Sequence, residues 1–334
     1  MAEDLSRTHS ALSAAETSYS EAMRLLADGA GQQDMQRAVG LLGSAASQGL
    51  SAAAERLAAF HAMAANGPGG PRHWDEAFDQ LLAAAELGSA SAGKQLLLLA
   101  NRADELEAPS AQPSFWRAAR GGIDIERLLR TPERKTVRES PRIRQIEGFA
   151  SAAECRWVIE STRSLMTPAT VFDPATGALI ENPARSNSAV LLMFGQMDVV
   201  SEVLRTRIAM ATRVPVRVFE PAQILRYEVG QEFVSHVDYL DPDSAAYGEE
   251  LARQGQRIAT FLIYLSADYE GGETVFPEIG LRYRGNTGDA LFWANLDQQQ
   301  RPDLLTRHAG LPPTSGEKWV FSQWIRERPP MGGH

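Results

Sequence analysis

The chain reads as two bodies of different class: an all-α helical repeat module over residues 1–110 and a β-sandwich or jelly roll with flanking helices over 141–330, joined by a basic linker at 111–140. Three observations carry this reading. The 334 residues exceed what one ordinary core organises. Alanine- and leucine-rich helical periodicity fills the first third, then yields near residue 140 to short β-type runs punctuated by glycine and proline. A composition of 44% hydrophobic and 22% charged residues is that of a globular protein, and no apolar run approaches the roughly 18–20 residues that span a bilayer.

The first element is a helix over 9–28, in which Leu12, Ala15, Tyr19, Ala22, Met23 and Leu26 form one apolar stripe. An internal repeat follows. Ala38, Leu42, Ala45, Ala46, Gly49, Ala53 and Leu57 return 39 residues later as Ala77, Leu81, Ala84, Ala85, Gly88, Ala92 and Leu96. Each unit reads helix, glycine turn, helix, and the Gly-Pro-Gly-Gly-Pro run at 67–71 separates the two. The pattern over about 34–105 resembles Sel1-like repeats, relatives of the tetratricopeptide repeat; two alanine-rich hairpins of no particular family are the alternative. Two repeats bury little surface, so the 9–28 helix, with the second body as a further candidate, is expected to cap them. Such arrays offer concave surfaces, which implies a protein partner through the helical repeats. His9, His61 and His73 lie on separate elements without ligand spacing and read as surface or capping residues.

Charge is uneven: −7 over residues 1–110, +5 over 111–145 and −7 over 146–334. The basic stretch reads as a solvated connector touching two acidic bodies, or else as a docking site for an acidic partner. The net charge of −9 argues against nucleic-acid binding, and no membrane partner is expected. Cys155 is the single cysteine, and Met1-Ala2-Glu3-Asp4 lacks a signal-peptide pattern, so a reducing cytoplasm is the expected location.

In the second body, Arg142–Ile146 reads as a strand. Ser151–Ser161 reads as a helix opened by Ser151 as N-cap, with Glu154 at the capping-box position. A second helix is predicted over 198–213. Strands are predicted near 216–227, 257–266, 273–276, 281–284, 289–294, 304–309 and 318–326. Two longer segments, 170–190 with Asp173-Pro174-Ala175-Thr176-Gly177 and the acidic 239–256, read as mobile covers or as plain insertions.

Within these strands, His236 and Asp238 are two residues apart and share one face of an extended backbone. With His308 they make two imidazoles and one carboxylate, the facial triad of non-haem iron(II) oxygenases, which leaves about three octahedral positions open. Alone, such a His-x-Asp is as readily a hydrogen-bonded surface pair. Lys318 opens Lys-Trp-Val-Phe-Ser-Gln-Trp-Ile, in which Lys318, Val320, Ser322 and Trp324 share a face. The Pro312–Gly316 turn is expected to fold this strand back beside the one bearing His308. Lys318 is then either an amine reaching solvent at the strand edge or a buried cation that needs an anion.

Seven collinear blocks accompany these residues. They are Leu225–Gln231, His236–Tyr239, Gln256–Thr260, Gly271–Pro277, Gly288–Trp293, Arg307–Gly310 and Lys318–Arg328. Together, over about 142–328, they resemble prolyl 4-hydroxylase catalytic domains. The resemblance implies a double-stranded β-helix (jelly roll) and an Fe(II)- and 2-oxoglutarate-dependent dioxygenase that releases succinate and CO2, with ascorbate as a helper. It implies that His236, Asp238 and His308 bind the iron. Lys318 pairs with the distal carboxylate of 2-oxoglutarate, helped by Tyr227 and Thr274, and Arg257 and Trp324 face a peptide or protein substrate. One departure concerns Phe233, where many relatives carry tyrosine lining the substrate groove. It leaves open hydroxylation of another residue or of a free small molecule. A non-catalytic binding protein is the third reading, opposed by the intact ligand set and lysine.

Overall fold

The computed structural model describes residues 2–27, 31–67, 70–107, 112–172 and 179–329. The chain divides into two compact units, one built from residues up to 130 together with 193–210, the other from 131–192 together with 211 onward.

The first unit is helical. Its helices are α1 (Ala2–Leu25), α2 (Gln32–Ser47), α3 (Ser51–Ala64), α4 (Pro71–Glu86) and α5 (Ala90–Leu99). Helix α4 starts 39 residues after α2 (71 against 32), and α5 starts 39 after α3 (90 against 51). Between the members of each pair the chain reverses at Gly49 and Gly88, whose φ angles of +90° and +92° are left-handed positions that suit glycine. Alanines bring the helix backbones together: Ala38, Ala45 and Ala53 in one pair, and Ala77, Ala84 and Ala92 in the other, are fully buried. Ala15 and Ala22 of α1, with Leu26 just beyond it, share a core with Leu42 and Leu57, so α1 does cover the first pair. The side chains of His9 and Leu12, and residues Pro68 and Gly69, lie outside the described residues.

The stretch expected as a linker at 111–140 is not a free connector. Its described residues up to 130 belong to the helical unit, and the second unit begins at Thr131 rather than 141. The cause is packing and charge. Trp116 lies so close on Gly93 that a Cβ there would meet its ring at 2.6 Å. Arg120 pairs with Asp75 and Asp79 at 2.9 and 2.8 Å, and Arg117 with Glu86 at 2.8 Å. The basic stretch therefore neutralises the acidic helices of its own unit. Helix Val199–Thr212, predicted at 198–213 within the second body, also contributes most of its length to the first unit. Arg56 donates to the carbonyls of Phe194 and Met197, Asn66 donates to Glu202, and the buried Gln95 accepts from the Val199 amide. These polar contacts join residues more than 100 positions apart, which no local pattern announces.

The second unit is an antiparallel body built around two main sheets, with two further two-stranded pairs. One sheet has eight strands in the order Lys135–Arg138, Ile143–Ile146, Ala290–Ala294, Arg257–Tyr264, Lys318–Arg326, Ala222–Tyr227, Ser188–Leu192 and Thr167–Pro168. The other has four, in the order Leu281–Tyr283, Thr274–Phe276, His308–Gly310 and Phe233–His236. The sheets share a core in which Phe276 of the small sheet packs with Trp293, Tyr264, Leu291 and Val320 of the large one. Helix Ala152–Thr162 opens with a complete capping box between Ser151 and Glu154; such an N-cap contributes about 1 kcal/mol.

Several predicted strands begin later than expected. Val216–Val218 and Leu304–Thr306 are 3-10 turns, and strands start only at Ala222 and His308. In the first, Pro215 supplies the N-cap; in the second, Asp303 accepts from the Leu305 amide. The Pro312–Gly316 segment does not fold the Lys318 strand back beside the His308 strand. Pro313–Gly316 pairs instead with Tyr269–Gly271, and Lys318–Arg326 enters the large sheet between Arg257–Tyr264 and Ala222–Tyr227. Of the two expected covers, Thr170–Phe172 pairs with Leu179–Glu181, while residues 173–178 lie outside the described residues. The 239–256 stretch contains helix Gly248–Gln254, tied down by an Arg326–Glu250 ion pair and by Arg328 donating to the Leu251 and Ala252 carbonyls.

Candidate active site

Between the two sheets a pocket of about 480 Å3, counting its open mouth, collects most of the residues singled out in the sequence. His236 ends one strand of the small sheet and His308 starts its neighbour, and the two are direct partners in register. Asp238 follows two residues after His236. The ligand atoms of the three lie within 4.8 Å of one another. His236 Nε2 is 3.6 Å from Asp238 Oδ1, and His308 Nε2 is 3.5 Å from Asp238 Oδ2.

Each ring is oriented by its other nitrogen. His236 Nδ1 lies 2.8 Å from the Val234 carbonyl, and His308 Nδ1 lies 3.0 Å from the Thr306 carbonyl. A carbonyl only accepts, so both Nδ1 atoms carry hydrogen, and each ring turns its Nε2 toward the carboxylate. Burial pulls the His308 imidazole down to about 4, which keeps it neutral near pH 7. Burial by itself would raise the Asp238 carboxyl, but the two histidine rings and the Thr260 hydroxyl outweigh it and hold it well below the usual range. Thr260 donates to Asp238 Oδ2 at 2.6 Å and accepts from Asn295 Nδ2 at 3.1 Å. This outer pair was not foreseen in the sequence, although Thr260 sits inside one of the seven blocks. Two imidazole Nε2 atoms and an ionised carboxylate, aimed at one point, fit a divalent iron with open positions.

Lys318 is opposite Tyr227 in the large sheet and 2% exposed. Its ammonium lies 5.0 Å from the Tyr227 ring centroid and 5.9 Å from that of Tyr264, with no carboxylate in salt-bridge range among the described residues. Burial accordingly pulls its pKa down to about 7. Burial pushes the Tyr227 phenol up to about 12, so it remains a hydroxyl donor. Thr274 is buried in the same pocket and accepts a 2.8 Å hydrogen bond from the Tyr264 hydroxyl. Lys318, Val320, Ser322 and Trp324 all line the pocket, as their shared strand face requires. A cation, hydroxyls and an apolar wall beside an iron-type ligand set suit a dicarboxylate that chelates the metal at one end.

The substrate-side residues divide. Phe233 and Trp324 line the pocket. Arg257 does not; its guanidinium lies 3.7 Å over the Trp324 ring and is paired with Glu220 at 2.6 and 3.0 Å. Two further residues escaped the sequence reading. Glu220 also holds Arg326 at 2.5 Å, and Arg185 lines the pocket, 4.9 Å above Phe233, donating to Gln223 at 2.8 Å. Arg185 is 8% exposed and its Nε has no partner among the described residues, so it is a second buried cation beside the metal ligands.

Residues 222–326 match the 2OG-Fe(II) oxygenase superfamily. The chain is 34% identical over 214 residues to the prolyl 4-hydroxylase subunit alpha-1 of Rattus norvegicus, a match covering 64% of this chain and 40% of that subunit. It is 34% identical over 210 residues to prolyl 4-hydroxylase 1 of Arabidopsis thaliana, covering 58% and 72% respectively. The viral collagen prolyl hydroxylase from Paramecium Bursaria Chlorella virus-1, solved as a 2OG complex, is 29% identical over 55% of this chain and 95% of its own, with a TM-score of 0.43. The chain thus spans about two fifths of the length of the animal subunits it matches.

Proposed function

This chain belongs to the prolyl 4-hydroxylase family of 2-oxoglutarate- and iron(II)-dependent oxygenases, and we propose that it hydroxylates a C–H bond of a prolyl residue in a peptide or protein, consuming 2-oxoglutarate and releasing succinate and CO2. One observation carries the reading: the buried Lys318, without a carboxylate partner among the described residues, shares a pocket with the converging His236, Asp238 and His308. A buried cation is costly unless an anion arrives, and a ligand that brings a carboxylate to it supplies one.

Iron(II) with 2-oxoglutarate and dioxygen supplies the oxidising chemistry when bound. The chain's own part is placement. His236, Asp238 and His308 hold the metal from one side. Lys318, with the Tyr227 and Thr274 hydroxyls, would hold the far carboxylate of the co-substrate. Phe233 and Trp324 wall the mouth, and Arg257 holds the Trp324 ring from behind, so it positions rather than touches substrate. Arg185 offers a further buried donor to a peptide carbonyl. Turnover of 2-oxoglutarate to succinate with Fe(II), with and without proline-containing peptides, tests the reading; no succinate under either condition sinks it.

Phe233, which presents no hydroxyl to the pocket, favours as a second reading the hydroxylation of another residue or a free small molecule. Ascorbate is proposed as the reductant that restores the iron. The 39-residue spacing of the helices supports a Sel1-like pair that presents a protein partner, and the single buried Cys155 supports a reducing, cytoplasmic location. Pull-down with the full chain and fractionation of cells test these last two points.

A further inference from the structure

In the helical unit, away from the pocket in sequence, three side chains converge that the sequence reading left apart. His61 lies on α3, and His73 and Glu76 lie on α4. His73 and Glu76 are three residues apart, so they share a helix face, and His61 meets them from the neighbouring helix. His61 Nδ1 is 3.1 Å and His73 Nδ1 is 2.7 Å from the same oxygen, Glu76 Oε2. The rings run nearly parallel, with centroids 6.2 Å apart and planes 23° apart. All three ligand atoms lie within 4.8 Å of one another. We propose that His61, His73 and Glu76 form a second metal site, for a borderline divalent cation of the zinc type, which staples α3 to α4.

The donor set suits such an ion. Two imidazoles and one carboxylate bind zinc with bonds of about 2.0–2.2 Å, which places neighbouring donors roughly 3.3 Å apart and leaves one tetrahedral position for water. The observed separations need only small adjustment. Paired histidine and glutamate three residues apart, completed from a facing helix, is how helical bundles build metal sites. Arg72 reaches the other carboxylate oxygen, Oε1, at 3.4 Å and leaves Oε2 for the ion. Arg72 is itself 85% exposed, so its charge can swing into solvent as the cation enters. Each Nδ1 hydrogen now shared with Glu76 transfers to Nε2 of its own ring when the metal arrives, so no proton need leave.

The site does not depend on the oxygenase reading, and the test separates them. The full chain carrying His236→Ala and His308→Ala, which lacks the catalytic ligand set, is titrated with Zn2+ by calorimetry and with Co2+ by visible absorption. We expect one equivalent bound, with d–d bands of a low-coordinate cobalt. Adding His61→Gln and His73→Gln removes that equivalent; Glu76→Gln alone weakens it about tenfold or more. Circular dichroism of each variant establishes that the helices persist, and Glu76→Gln keeps size and hydrogen bonding where the histidine variants fail to fold. Zn2+ at about a hundred times its dissociation constant should also raise the first thermal transition by several degrees. No binding by the starting variant overturns the proposal, as does an equivalent that survives loss of both histidines.

Discussion

Phe233 lies flat on the imidazole of His236, with ring centroids 3.5 Å apart and planes 15° from parallel. This pocket residue is thus also the floor of a candidate iron ligand. The Arg185 guanidinium also lies over the Phe233 ring, 4.9 Å from its centroid. Replacing Phe233 by alanine removes the surface that keeps the His236 ring in plane. Iron affinity should fall about tenfold, the scale on which outer-shell partners act. Phe233→Tyr keeps the stack, so it should leave iron affinity alone and shift substrate preference. Anaerobic Fe(II) titration of both variants, with competition between substrates, checks the pair; equal iron affinity in Phe233→Ala would refute the supporting role.

Lys318 gives the co-substrate a pH dependence. With its pKa pulled down to about 7 in the free protein, the amine is mostly neutral at pH 8. A bound carboxylate favours the ammonium and raises that pKa. Binding therefore takes up a proton above pH 7, and affinity for 2-oxoglutarate should weaken as pH rises, by up to about tenfold per unit. The fold carries the same linkage. The unfolded chain holds this proton up to about 10.5, so stability gained from deprotonating Lys318 grows as pH climbs from 7 toward that value. Lys318→Met should abolish both slopes and raise the 2-oxoglutarate requirement by about a hundredfold, since a buried partner of charge is worth roughly 2–5 kcal/mol. Anaerobic calorimetry with Fe(II) in buffers of different ionisation enthalpy reads the proton directly.

His236→Ala and His308→Ala should each abolish succinate formation while the chain stays folded. His308 is buried against Trp293 and Phe276, with ring centroids 4.7 and 5.6 Å away, so its loss also leaves a small cavity. We expect a lower melting temperature for His308→Ala than for the more exposed His236→Ala, with turnover lost in both. Residual iron-dependent turnover in either would show that the ligand set is misassigned.

Much of this site was legible because strand periodicity is local. Once Lys318–Trp324 reads as a strand, the common face of Lys318, Val320, Ser322 and Trp324 follows, and all four line the pocket. The two-residue spacing of His236 and Asp238 is local in the same sense. What escaped depends on distant pairing. Nothing near Lys318 tells that its strand joins the large sheet while the His308 strand joins the small one. Nothing near Val199 tells that its helix is pinned by Arg56 and Gln95. His61 and His73 are twelve positions apart on two helices, and their meeting depends on how those helices pack. The late strand starts at Ala222 and His308 were missed for a smaller reason, since an apolar run looks alike as a 3-10 turn and as a strand.

Glu220 supports Trp324 of the pocket through its charge and through its backbone. It holds Arg257 beneath Trp324 and Arg326 beside it, and its backbone amide donates to the Trp324 carbonyl at 3.1 Å. Arg326 is 2% exposed, so it depends on Glu220 and Glu250 for compensation. Glu220→Gln leaves one charge fewer for the buried Arg326 and the half-buried Arg257, and breaking a buried pair in this way costs about 3–5 kcal/mol. The melting temperature should fall by several degrees at least. Because Arg257 would then leave the Trp324 ring, KM for a peptide substrate should rise more than the 2-oxoglutarate requirement, which Lys318 sets near the other end of the same strand. Equal loss toward both would mean that Glu220 stabilises the sheet without shaping the mouth; Glu220→Asp, which keeps the charge, should recover most of the stability and only part of the peptide affinity.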